Sequence, residues 1–232
     1  MYCGSYCVFE GMDGSGKSSV MAAVADKLKQ VYGQIPIHQT RHPGSTPLGI
    51  HLRELVKYPH KFGVEIDDLS RQALYMVDTI SFVKTILEPA LNRNEIVLAD
   101  RSSHISAIVY GAADGLDIND IIRLYSLITP PKADRVYVFS CPFELAIKRI
   151  HFSDRLDRPT DDHYDKKKEE FWTRICETYD NLITGPAIRT VTISSYVSLD
   201  DVVYVDASQS FDAVVDFVVS DLLKLLKRRE DK

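Results

Sequence analysis

The chain has 232 residues, enough for one α/β domain or at most two small ones. Apolar residues make up 45% of it, and 28 Lys plus Arg against 33 Asp plus Glu leave a net charge of −5. A mildly acidic chain is not built to coat a nucleic acid polymer or an anionic membrane, so any phosphate binding must come from a local cluster of basic groups. The pair Cys3 and Cys7 has no later Cys/His pair to complete a zinc site, and Cys7 and Cys141, in or beside apolar runs, read as buried thiols. Met1 to Val8 is too short and interrupted for a signal peptide, and no apolar run reaches the length of a membrane span. The expected location is a reducing cytoplasm, that of the host cell if the gene is phage or viral.

In chain order, Tyr6 to Phe9 reads as a strand leading into Gly11, and Ser18 to Val31 as a helix with Val20, Met21, Val24, Leu28 and Val31 at helical spacing. Ile35 to His38 is a candidate second strand. Leu69 to Leu91 reads as one long helix, or two broken near Pro89. Ile96 to Ala99 is a third strand that ends at Asp100, Val136 to Phe139 a fourth and Val202 to Val205 a fifth, and Phe211 to Leu226 is a closing helix. Strands separated by helices predict a parallel sheet covered on both faces. His151 to Lys168, crowded with charge, and Gly185 to Asp200, with the run Thr190 to Ser195, read as loops, the second as a small hairpin or an insertion.

Gly11-Met12-Asp13-Gly14-Ser15-Gly16-Lys17-Ser18 fits the phosphate-loop pattern of Gly, four residues, then Gly-Lys-Ser. It lies between an apolar strand and a helix, where successive backbone N–H groups and the helix N-terminus can surround phosphate oxygens. Gly11, Asp13, Gly14, Ser15, Gly16, Lys17, Ser18 and Ser19 are therefore candidate ATP-binding residues. Lys17 is expected at the β- and γ-phosphates and Ser18 on Mg²⁺. Asp100, at the end of a buried strand, is the second candidate Mg²⁺ residue. A phosphate loop does not by itself separate kinases from GTPases, ATPases or helicases, but a GTPase would need an Asn-Lys-x-Asp element, and Asn92-Arg93-Asn94-Glu95 does not match one.

Five blocks in the right order resemble the thymidylate kinase family. They are Phe9 to Ser18, Thr40-Arg41-His42-Pro43-Gly44-Ser45-Thr46-Pro47-Leu48-Gly49, Leu98-Ala99-Asp100-Arg101, Leu156-Asp157-Arg158 and Val205-Asp206-Ala207. The resemblance spans Val8 to about Val219. It implies a P-loop NTPase fold with a five-stranded parallel sheet in the order 2-3-1-4-5, one nucleoside monophosphate kinase domain over residues 1–232, and a lid at about 149–165. The implied activity is transfer of the γ-phosphate of ATP, with Mg²⁺, to a deoxynucleoside monophosphate, dTMP foremost. A homodimer is implied by analogy with relatives that pair through core helices, with Leu74 to Leu87 as the candidate face.

The resemblance also implies residue roles. Asp13 would contact the sugar 3′-hydroxyl, although an Asx turn explains an aspartate there as well. Arg41, before the Pro43-Gly44 turn, would meet the acceptor phosphate, and Arg101 would clamp both phosphates. Tyr75 takes the place of the aromatic that stacks on the base, and Ser106 and Tyr110 are further acceptor candidates. In relatives the transition-state arginine comes from the phosphate loop or from the lid. The phosphate-loop position is Gly14 here, so Arg149, Arg155 and Arg158 are the catalytic candidates, with Lys17 and Arg101, and Arg158→Ala is expected to lower turnover steeply.

This chain departs from the family around the base. Thr79 stands where relatives have a base-contacting arginine, His42 where they have glutamate, Ile50 where an acidic residue is common, and Ile108-Val109-Tyr110 where they have Ala-Tyr-Gln. These changes spare the phosphate chemistry and predict an altered or broadened range of deoxynucleotides. Two other readings compete. A deoxynucleoside kinase would use a carboxylate such as Glu10 as base, but Arg41 and Arg101 suit an acceptor that already carries phosphate. A non-catalytic nucleotide-binding module would not need Lys17, Ser18, Asp100 and Arg101 together.

Overall fold

The computed structural model describes residues 4–33, 36–152, 162–164, 167–184, 196 and 198–230. Five strands, β1 (Ser5–Gly11), β2 (Ile37–Arg41), β3 (Ile96–Asp100), β4 (Arg135–Ser140) and β5 (Val202–Asp206), form one parallel sheet in the order β2-β3-β1-β4-β5. The expected order is the observed one. β1 takes the centre because it can be buried on both faces: Cys7, Val8 and Phe9 are fully excluded from solvent. A near-continuous apolar run without polar alternation suits such a strand. Cys7 and Cys141 are buried and form no disulfide among the described residues.

The helices are α1 (Lys17–Tyr32), α2 (Pro47–Lys57), α3 (Asp68–Phe82), α4 (Glu88–Asn92), α5 (Ser103–Ala113), α6 (Ile118–Tyr125), α7 (Phe143–Phe152), α8 (Glu169–Thr184) and α9 (Phe211–Glu230). α1 packs with α9 and against β1 and β3, while α5 packs with α3 and α8. Val20, Met21, Val24 and Leu28 carry the buried stripe of α1, as the helical spacing predicts; Val31 instead lies exposed near the C-terminal end. No helix among the described residues is long and apolar enough to cross a membrane.

Three local details correct or extend the expectations. β2 begins at Ile37 and runs to Arg41, later than Ile35 to His38, because pairing with β3 sets its bounds and places Arg41 beside Asp100. The expected helix from Leu69 to Leu91 is one unbroken run, not two pieces parted at Pro89. α3 passes through a π-helical turn at Val83–Leu87, where the Glu88 N–H reaches back to Val83, and then into α4. The widened turn falls just before Pro89, which has no N–H to give. α2 was absent from the periodicity reading, yet its start is written in the chain: the Thr46 hydroxyl accepts from the Gly49 N–H at 2.8 Å, and Pro47 follows in the first turn.

Candidate active site

The phosphate loop joins β1 to α1. Gly11, Gly14 and Gly16 have φ of 142°, 84° and 89°, values that side-chain-bearing residues rarely adopt. At Gly14 a second constraint applies, since a Cβ there would stand 2.3 Å from the Ala146 carbonyl oxygen of α7. The loop is pressed against α7, and no side chain fits at Gly14.

Lys17 is buried at the first turn of α1, its Nζ 3.3 Å from Asp13 Oδ1 and 3.9 Å from Asp100 Oδ1. Burial and the neighbouring Arg101 guanidinium hold its ammonium below the ordinary lysine value, with Asp13 and Asp100 opposing. The Ser18 hydroxyl donates to Asp100 Oδ2 at 2.5 Å, while Asp100 Oδ1 is buried without a hydrogen-bond partner. An alcohol and a carboxylate with an unmet oxygen are hard ligands of the kind Mg²⁺ takes, so these residues fit that ion.

Arg101 begins the turn after β3 with φ 76°, a strained conformation for a residue bearing a side chain. Its N–H donates to the Phe9 carbonyl at 2.9 Å, and its guanidinium donates to Asp13 Oδ1 at 2.7 Å, Tyr179 Oη at 2.9 Å and Tyr110 Oη at 3.0 Å. Beneath it lies Glu10, fully buried, its Oε2 3.9 Å from Arg101. Glu10 accepts from the Ser102 N–H at 2.7 Å, from the Ser102 hydroxyl at 2.9 Å, from Ser106 at 3.0 Å and from Tyr179 at 2.9 Å. Burial raises its carboxyl above the ordinary value, and Arg101 with these donors pulls it back. With its oxygens committed to these four donors and out of the cavity wall, Glu10 holds Arg101 in place and is not available as a base.

At the other end, the turn after β2 carries Arg41 and Pro43. Arg53 of α2 donates to the Pro43 carbonyl at 3.2 Å, and Lys57 of α2 pairs with Asp162. Asp78, buried on α3, accepts from the Gly44 N–H at 2.9 Å and lies 3.2 Å from His42 Nε2. Burial pushes the His42 pKa down to about 3 and raises that of Asp78. His42 is thus a neutral ring in the wall of the turn.

A single cavity of about 510 Å³ runs from the phosphate loop to this turn. Of the expected residues, Asp13, Gly14, Ser15, Gly16, Lys17, Ser18, Ser19, Asp100, Arg101, Arg41, Pro43, Tyr75, Ser106, Tyr110 and Arg149 all line it. Gly11 lies behind it, against Phe139 of β4. Thr79 is fully buried, donates to the Tyr75 carbonyl at 2.8 Å, lies 3.3 Å from His42 Nε2, and does not line the cavity. Arg149 is held by main-chain carbonyls, Ala207 at 2.8 Å and Ser15 at 3.5 Å, at the end of the cavity bounded by Gln209 and Phe211. Arg155, Arg158 and the run Thr190 to Ser195 lie outside the described residues.

Arg53, Lys57, Gln72 and Tyr125 also line the cavity and were not anticipated. The signal for the first two was present: basic residues four apart on a helix that starts at the acceptor turn share one face. Gln72 and Tyr125 carried no motif.

Residues 9–214 match the family model for thymidylate kinase. The thymidylate kinase of Exiguobacterium sibiricum is 28% identical over 98% of this chain and 98% of its own length, and that of Shewanella frigidimarina is 30% identical over 91% and 89%. The crystal structure of thymidylate kinase from Ehrlichia chaffeensis superposes with a TM-score of 0.66 at 23% identity, covering 95% of this chain and 99% of that one, which shows a common fold. A family match across nearly the whole length, on the same sheet order and the same phosphate loop, means that this chain belongs to the thymidylate kinase family.

Proposed function

We propose that this protein transfers the γ-phosphoryl group of ATP to the 5′-phosphate of dTMP, giving dTDP and ADP. The observation that carries the reading is that one cavity is walled by a phosphate loop at one side and by Arg41 and Arg53 at the other, with Arg101 bonded to the loop's Asp13 between them. Two anions brought together in one site need cations between and around them, and an acceptor without phosphate would leave these arginines without purpose.

The attacking group is a phosphate oxyanion, so no general base is required; catalysis is positioning and charge neutralisation. The loop amides and Lys17 hold the donor phosphates. Arg101, fixed by Asp13, Tyr110 and Tyr179, stands between donor and acceptor. Arg41 and Arg53 orient the acceptor phosphate, and Tyr75 faces the base. Ser18 and Asp100 would hold Mg²⁺, which when bound withdraws charge from the β- and γ-phosphate oxygens. Arg155 and Arg158 complete the reading as lid residues that meet the transferring phosphoryl group; Arg149, engaged by two carbonyls, supports the donor end.

A homodimer goes with this reading. Val77 and Ile80, three residues apart on α3, are 40% and 43% exposed, an apolar patch that a second copy would cover. Light scattering of the purified protein at twice the chain mass supports it; a monomer at micromolar concentration counts against it. A cytoplasmic location fits a protein with free thiols and an ATP-dependent reaction.

The test of the activity is product formation from ATP-Mg with dTMP and, separately, with thymidine. The reading requires dTDP from the first and no phosphorylation of the second. Phosphorylation of thymidine in preference to dTMP would make it a nucleoside kinase instead.

A further inference from the structure

Gln72 lies on α3 one turn before Tyr75 and is fully buried, yet among the described residues neither its amide nitrogen nor its amide oxygen has a hydrogen-bond partner. A buried amide left unmatched costs roughly 1–3 kcal/mol, and an apolar residue would fill the same place without that cost. The side chain is part of the wall of the substrate cavity, with Tyr75, Ala107 and Tyr110, and its Nε2 lies 3.3 Å from where a Cβ on Gly111 would stand. Glycine on the facing helix α5 leaves room for the amide. These atoms are closed to solvent, so a ligand in the cavity completes them once the side chain turns toward it.

Thr79, at the place where relatives have a base-contacting arginine, donates to the Tyr75 carbonyl, lies against His42 and does not line the cavity. Gln72 is two helical turns earlier, on the same face of α3, and beside the aromatic residue Tyr75. We propose that Gln72 is the specificity-determining residue that reads the acceptor's base: Nε2 donates to the 4-oxo oxygen of a pyrimidine and Oε1 accepts from its N3–H, while Tyr75 faces the ring. The edge of thymine offers an acceptor beside a donor, and an amide is the neutral side chain that presents the complementary donor and acceptor in one plane. An arginine offers donors only. This inference rests on the phosphotransfer reading for its choice of ligand.

Calorimetric binding tests it without requiring turnover. The wild-type chain and Gln72→Met are each titrated with dTMP and with N3-methyl-dTMP, whose methyl group removes the N3–H. A bidentate amide–base contact distinguishes the right edge by roughly ten- to a hundredfold. The wild type is expected to prefer dTMP by about that factor, and Gln72→Met to bind dTMP correspondingly more weakly and to lose at least a tenfold share of the preference. ATP affinity is expected to stay within about twofold. The melting temperature of Gln72→Met is expected to hold or rise, because an unmatched amide has been removed. Unchanged dTMP affinity in the variant, or an equal preference in both proteins, overturns the proposal, as does a wild type that binds no dTMP. If dTMP binds as expected but no phosphoryl transfer occurs, the proposed activity fails and the base reading stands.

Discussion

The Arg101 guanidinium donates to Asp13 Oδ1 at 2.7 Å, so the residue that follows β3 is fastened to the phosphate loop that follows β1. Two neighbouring strands of the sheet thereby present one composite surface, with the loop amides and Lys17 on one side and Arg101 on the other. The strained backbone at Arg101 is held by that bond, by the two tyrosines and by the charge of Glu10 beneath it.

Replacing the planar fork by a point charge tests this link. Arg101→Lys keeps a cation above Glu10 but cannot hold Asp13, Tyr110 and Tyr179 together. Turnover is expected to fall on the order of a hundredfold or more, with ATP affinity changed little. Steady-state rates beside an ATP titration check it, and near-normal turnover would mean that the guanidinium geometry is dispensable.

Gly14→Ala places a methyl group against the Ala146 carbonyl and forces a side chain into φ 84°. The expected result is a loss of roughly 1–3 kcal/mol of stability and much weaker ATP binding, measured by urea denaturation and nucleotide titration. Wild-type behaviour in both would show that the loop and α7 are not in the contact described.

The acceptor turn can be disturbed from behind. A Cβ on Gly49 would stand 1.9 Å from Asp78 Oδ1, so Gly49→Ala must push Asp78 off the Gly44 N–H and move the turn that carries Arg41 and Pro43. The KM for dTMP is expected to rise about tenfold or more while that for ATP stays within about twofold. Equal rises in both would point to general destabilisation instead.

A pH dependence follows from His104. Its ring lies between Tyr125 and Tyr196, stacked on the latter at 5.0 Å, and burial lowers its pKa from 6.5 to about 4. Above pH 6.5 the ring is neutral in both states. As the pH falls from 6.5 toward 4, the unfolded chain takes up a proton that the folded chain refuses, so stability drops by up to about 3 kcal/mol from this group. His104→Phe removes the term. Chemical denaturation at pH 7 and at pH 4.5 is expected to show a smaller loss for the variant than for the wild type; equal losses would mean that His104 protonates freely in the fold.

The sheet order, the phosphate loop and the residues at the strand ends could be read from the chain, because backbone turns, buried strands and phosphate chemistry each demand particular residue types at fixed spacing. The base end was hidden for a physical reason. His42 and Thr79, two departures from the family noted separately and 37 positions apart, turn out to touch, with Asp78 against the same imidazole nitrogen. That set exchanges partners within the wall of the site, and only three-dimensional contact shows that Thr79 has left the cavity. Gln72 was unmarked because a glutamine on a helix is ordinarily a surface residue; its burial and its unmatched amide are properties of packing between α3 and α5.

The most direct measurement of the central claim, that donor and acceptor phosphates meet in one cavity, is the affinity of a single molecule carrying adenosine and thymidine joined through their 5′-oxygens by a chain of five phosphates. Bound across the cavity, it engages the loop amides and the acceptor arginines at once, and its affinity is expected to exceed those of ATP and of dTMP by roughly a hundredfold or more. Binding no tighter than ATP alone would show that the two ends do not form one site, and the proposed phosphoryl transfer would be contradicted.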